Sequence, residues 1–170
     1  MSLFSNTEFT NLEELFVEQI KDLYDAENRL VDAIPDLVDA ATAPELRAAF
    51  DSHLTETKGH VTRLEQVFEG LGIEPDRETC DGIKGLLKEG EEIIKAKGDP
   101  AVKDAGLIAA AQRVEHYEMA GYGTARTLAN VLGRSDLAAI LQSTLDEEGN
   151  ADHHLTDIAE TVCNPMANRA

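Results

Sequence analysis

Apolar residues recur at intervals of three and four along most of the chain, and strand-like alternation is nowhere sustained. That period predicts helices. Leu12, Phe16, Ile20, Leu23, Leu30, Ile34 and Leu37 share one stripe, which predicts a first helix from about Asn11 to Asp39, with Pro35 kinking or loosening its last turn. Thr42-Ala43-Pro44 reads as the next start, a Thr cap with Pro in the first turn. This second helix carries Leu46, Phe50, Leu54, Val61, Leu64 and Phe68 and stops at Gly70-Leu71-Gly72. Residues 73–79 form a polar connection, and a shorter helix from about Asp81 to Ala96 follows. The stretch KGDP, residues 97–100, ends it and opens a third long helix that runs to about Leu132. Gly133–Ser135 turns the chain into a fourth, from Asp136 to about Val162, and the last seven residues read as a frayed tail.

Two long helix pairs with tight turns, joined by a long connection carrying its own short helix, predict an all-α fold. Short turns make antiparallel neighbours, whereas the long crossover lets the second and third long helices run parallel, the ferritin-like four-helix arrangement. A length of 170 residues with 42% hydrophobic residues suits one domain over residues 1–170, its core spanning about 10–162. The absence of a long apolar run argues against a membrane partner, and the first residues, MSLFSNTEFTNLEELF, carry no secretory pattern. Cys80 and Cys163 form neither a metal-binding pair nor a disulfide framework, so the expected setting is the cytoplasm.

Charge narrows the function classes. With 33 acidic and 15 basic residues the net charge is −18, which argues against a nucleic-acid partner, since binding to phosphate backbones needs clustered Lys and Arg. The excess acid reads either as a solvated surface or as adaptation to high salt, where self-repulsion is screened.

Several acids do not fit a solvated surface. Glu27 is flanked by Leu23, Leu30 and Ile34 at minus four, plus three and plus seven, so it points inward. On the second helix Glu56 and His60 stack four apart, with His53 three residues before Glu56, on a stripe beside the Leu46/Phe50/Leu64 line. On the third, Glu115 and Glu118 share a face with Ala111, Met119 and Tyr122. On the fourth, Glu148 lies among Leu141, Leu145 and Leu155, with Asp152 one turn on, whereas Glu147 points about 100° away. Converging carboxylates cannot all stay ionised unless cations lie between them, and two divalent ions balance four. The candidate metal ligands are therefore Glu27, Glu56, His60, Glu115, Glu118, Glu148 and Asp152. Taken singly, each has a plainer reading as a surface acid or polar network; one acid near the middle of every long helix favours metal. His116, His153 and His154 fall off the inward stripes, and Tyr24, Tyr117 and Tyr122 read as packing residues or as hydroxyls behind the ligands.

The segments LYDAENRL, HLTETKGHVTRLEQVF, DAGLIAAAQRVEHYEMAGYGTARTLA and LDEEGNADHHLTDIA, in this order and spacing over roughly residues 10–160, resemble the YciF-like stress proteins of bacteria, a branch of the ferritin-like superfamily. The resemblance implies a ferritin-like bundle, a homodimer and a di-iron or di-manganese carboxylate centre. The superfamily pattern asks for a Glu on the first helix, met by Glu27, and a Glu on the third, met by Glu115; rubrerythrin-like relatives add a second three residues later, as Glu118 would be. It asks for Glu-x-x-His on the second and fourth helices, where this chain has Gly59 after Glu56 and Ala151 after Glu148. His60 and Asp152 would have to serve from plus four.

Mostly oxygen ligands with one or two imidazoles favour iron or manganese over zinc. The expected function is Fe(II) oxidation or peroxide chemistry in an oxidative-stress response, with dioxygen or peroxide as the small oxidant and Glu115 or Glu148 bridging; no catalytic residue is assigned. The alternative is a non-catalytic dimeric structural or interaction protein on the same scaffold, and a ferritin-type storage cage is a third, weaker reading.

Overall fold

Asn11 caps the first helix: its side-chain oxygen accepts the Glu14 N–H at 2.9 Å, and α1 runs over Leu12–Ala40, continuing through Pro35. The computed structural model describes residues 8–169, so the first seven residues of the N-terminal stretch that carries no secretory pattern lie outside the described residues. Helix α2 spans Pro44–Leu71 and ends at Gly72, whose φ of 71° needs a residue without a Cβ penalty. The crossover carries α3, Asp81–Lys95. Asp99 caps α4, Pro100–Val131, by accepting the Ala101 and Val102 N–H groups. Gly133, at φ 74°, turns the chain into α5, Ser135–Ile158.

The end of the chain departs from expectation. Helix α5 widens into a single π-turn at Ala159–Cys163 and continues as a short helix, α6, Asn164–Ala167. Pro165 has no N–H to offer Thr161 and its ring would crowd that carbonyl, so a regular α-turn is disfavoured there. Thr42 also departs: the N-cap of α2 is Ala43, without a side-chain cap of its own. Asp104, from the first turn and a half of α4, takes that role, accepting the Thr42 and Ala43 N–H groups at 2.9 and 2.8 Å and the Thr42 hydroxyl at 2.6 Å. A carboxylate is well placed at a positive helix N-terminus.

Helix α1 packs on α2 and α4, and α5 packs on the same two, with α3 laid over α1 and α4. Contacts such as Tyr24–Phe68, Arg126–Gln142 with Gln112–Asp152, and Gly70–Arg134 with Arg63–Glu147 make neighbours antiparallel. Thr42, just past the end of α1, meets Asp104 near the start of α4, so α2 and α4 run parallel across the bundle. This is the ferritin-like connectivity, all-α as expected. Among the described residues no helix is long and apolar enough to cross a membrane.

Each long helix buries a seam whose steps alternate between four and three, the spacing that keeps side chains on one face. In α1 it is Phe16, Ile20, Leu23, Glu27, Leu30 and Ile34. In α4 it is Ile108, Ala111, Glu115, Glu118, Tyr122 and Ala125. The apolar parts of the four seams form two clusters. One holds Phe16, Leu64, Phe68, Tyr122 and Leu137; the other holds Leu30, Phe50, Leu107, Leu155 and Cys163. The polar seam positions fall between them, so the bundle carries a charged layer at mid-length with an apolar plug on either side.

Candidate metal centre

Four helices bring six residues to this layer: Glu27 from α1, His53 and His60 from α2, Glu115 and Glu118 from α4, and Glu148 from α5. Glu27, Glu118, Glu148 and His60 are fully buried and Glu115 nearly so. Their donor atoms fall into two groups, each within 4.8 Å: Glu27, His60 and Glu148, and His53, Glu115 and Glu148. Glu148 belongs to both, which places it between two positions where an ion could sit.

The local bonding prepares these atoms for a ligand. His60 Nε2 lies 2.9 Å from Glu147 Oε2, and Arg63 clamps Glu147 in bidentate fashion at 2.7 and 2.6 Å. An N–H directed at Glu147 leaves the Nδ1 lone pair facing Glu148 Oε1 at 3.0 Å and Glu27 Oε1 at 3.3 Å. A histidine whose outer nitrogen is tied to a carboxylate while its inner nitrogen faces acids is the arrangement found behind metal ligands. The Tyr122 hydroxyl donates to Glu27 Oε1 at 2.5 Å, orienting that carboxylate and leaving Oε2 free. His53 Nε2 stands 3.4 Å from Glu115 Oε1 and 4.0 Å from Glu148 Oε2.

Electrostatics follow from this packing. Burial raises the pKa of Glu27, and raises those of Glu115 and Glu118 well above the ordinary carboxylate value, with neighbouring carboxylates adding to the effect. Glu148 goes the other way: burial works against its charge, but His60 and His53 hold its pKa down. Burial likewise opposes charge on the two imidazoles, yet the surrounding acids push His53 up to about 9 and His60 up to about 11. Without metal, protons supply the positive charge that the layer demands.

Of the seven residues singled out from the sequence, the structure brings five together: Glu27, His60, Glu115, Glu118 and Glu148. Glu56 and Asp152 lie apart. The Glu56 side chain is 44% exposed and reaches only His53, at 3.5 Å. Asp152 accepts from Gln112 Nε2 at 3.0 Å and lies beside exposed His116. The reason is angular. His53, Thr57 and His60 continue the Leu46–Phe50 seam toward Leu64 in steps of four and three, whereas Glu56 is rotated about 60° from His53. His53, which the sequence leaves as an alternative to His60, joins it in the layer, and the seven-residue spacing of the two is the signal that puts both on one seam. Glu147 points away from the layer as its register requires, but its bond to His60 is a tertiary contact the sequence does not advertise. His153 and His154 are exposed, Tyr24 stacks edge-on against Phe68, and both cysteines are free and buried.

Residues 11–168 match the family model DUF892, a domain of unknown function. The chain belongs to this family. It is 41% identical over 157 residues to the protein YciF of Escherichia coli K12, covering 92% of this chain and 95% of that one. The crystal structure of that stress protein superposes with a TM-score of 0.86, covering 89% and 96% of the two chains. YcfI of Rhodopseudomonas palustris gives 0.86 at 38% identity, with 90% and 98% covered. Ferritin-like diiron-carboxylate proteins of Bacillus anthracis give 0.65 at 16% identity, covering 89% and 99%, a likeness of fold alone. The DUF892 chain is therefore a YciF relative with a ferritin-like bundle.

Proposed function

We propose that this protein is a di-metal carboxylate protein of oxidative-stress defence. Glu27, His60 and Glu148 hold one ion, His53, Glu115 and Glu148 hold the second, and Glu118 closes the layer. One observation carries the reading. With the His60 N–H directed at Glu147, eight buried side-chain nitrogen and oxygen atoms among the described residues lack a hydrogen-bond partner, and all eight belong to these six residues. Each such group costs about 1–3 kcal/mol, more when charged, so a cluster of them in an otherwise satisfied interior is explained by a ligand. Four carboxylates and two imidazoles suit two divalent ions of iron or manganese. Such ions would supply redox chemistry toward dioxygen or peroxide.

The chain's own groups have separate tasks. Tyr122 and the Arg63–Glu147 pair hold Glu27 and His60 in place, and the apolar cluster of Phe16, Phe68 and Leu137 closes one side of the layer to bulk water. The stress role draws on the stress-protein relative, and a cytoplasmic homodimer completes the proposal. A non-catalytic scaffold is the second reading, favoured by Ala151, which stands where the regular Glu-x-x-His pattern would put a histidine on α5. Adding Fe(II) and hydrogen peroxide to the protein and following Fe(II) with a colorimetric chelator separates the two. The proposal expects faster Fe(II) loss than buffer, abolished in Glu148→Ala; a rate equal to buffer supports the scaffold reading.

A further inference from the structure

A cavity of about 570 Å³ opens between α3 and the seams of the long helices, a size typical of small-molecule sites. Its walls are apolar: Leu30 and Ile34 from α1, Phe50 from α2, Leu86 and Ile94 from α3, and Val114 from α4. Alanines line it where larger residues would close it, at Ala33, Ala48, Ala49, Ala110, Ala111 and Ala151. The lining also contains His53 and Glu115, and Glu115, 2% exposed, keeps Oε2 without a partner. Helix α3 accounts for the outer wall. Only Ile83 of this helix is buried, while Leu86, Leu87 and Ile94 are half-buried and border the cavity. An amphipathic helix that covers a void without filling it leaves apolar surface that a ligand could dry.

The polar lining defines the ligand's charge. Exposed Asp36, Glu45, Glu56 and Glu91 stand among the lining residues, and no lysine or arginine does. The imidazole of His53 already lies between Glu56 at 3.5 Å and Glu115 at 3.4 Å, so an anionic ligand would be desolvated against like charge with no unpaired cation of its own. We propose that this cavity binds an uncharged or cationic apolar molecule, with one end at the His53–Glu115 side of the candidate metal centre. Its role as a substrate rests on the di-metal reading; its capacity to bind does not.

The test uses the metal-free full chain and two fluorescent probes, neutral 1-aminoanthracene and anionic 1-anilinonaphthalene-8-sulfonate. The neutral probe is expected to saturate at one per chain and to bind at least tenfold more tightly than the anionic one. Gly90→Phe is the blocking variant, because Gly90 lines the cavity and a Cβ there meets nothing within 4 Å. It should weaken the neutral probe at least tenfold while helicity and metal uptake stay unchanged. Loading with Mn(II) should then quench the bound probe. Equal binding of both probes, or neutral-probe binding indifferent to Gly90→Phe, overturns the proposal. An unquenched probe on Mn(II)-loaded protein overturns the placement of its end. Two metals per chain with no probe binding sinks the pocket alone, whereas probe binding with no metal uptake sinks the di-metal reading alone.

Discussion

Asp104 and Glu118 are both acids of α4, 2% and 0% exposed, yet their surroundings are opposite. Asp104 receives two backbone N–H groups and a hydroxyl at the start of α2. Glu118 receives nothing on either oxygen, and burial beside Glu27 and Glu148 drives its pKa far up. Asp25 and Glu27 repeat the contrast on α1. Asp25 is held by Arg29, Arg77 and the Cys80 N–H, while Glu27 keeps one oxygen bare. The difference separates acids that build the fold from acids that wait for a ligand. The first kind should be destabilising to remove, and the second destabilising to keep.

The largest expected effect is on metal content. Because Glu148 belongs to both donor groups, Glu148→Ala should take elemental analysis from two metals per chain to none, whereas Glu27→Ala should spare the His53 position. Next comes Asp104→Ala. Uncapping α2 and stranding two N–H groups should cost about 2–4 kcal/mol in urea unfolding, with metal content unchanged. Asp25→Asn should cost about 1.5–3 kcal/mol at neutral pH, since it removes the charge-assisted bonds of a buried carboxylate to the part-exposed Arg29 and Arg77. Burial opposes the charge on Asp25, but its bonds to Arg29, Cys80 and Arg77 hold the pKa below 3.8. Its contribution is therefore present above that value, and the gap to the variant should close as pH falls through the lower folded value.

Glu118→Met sharpens the contrast through its sign. Replacing an unpartnered buried carboxylate by an apolar chain should stabilise the metal-free protein by about 1–3 kcal/mol, while weakening metal uptake. Smallest of all, Glu56→Gln and Asp152→Asn should alter stability by no more than about 0.5 kcal/mol and leave two metals bound.

Much of this was legible in the chain. The four long helices, their turns and the inward acids follow from the three-four period, because a seam position is a local property of one helix. What connects helices was not legible. Asp104 finds its partners 61 and 62 residues away, so Thr42 looked like the cap when a carboxylate from another helix performs it. Glu147 and Arg63 meet across 84 residues, and nothing in either segment signals the meeting. His53 lay between these cases: its seam register was readable, but the Glu-x-x-His pattern drew attention to Glu56, which sits one face away.

In the proposed centre the unsatisfied acids hold two ions around Glu148. Anomalous diffraction from crystals loaded with Fe(II) or Mn(II), collected at the metal's absorption edge, tests it most directly. Two peaks are expected, one among Glu27, His60 and Glu148 and one among His53, Glu115 and Glu148. Loaded crystals with no anomalous peak in this layer would contradict the account.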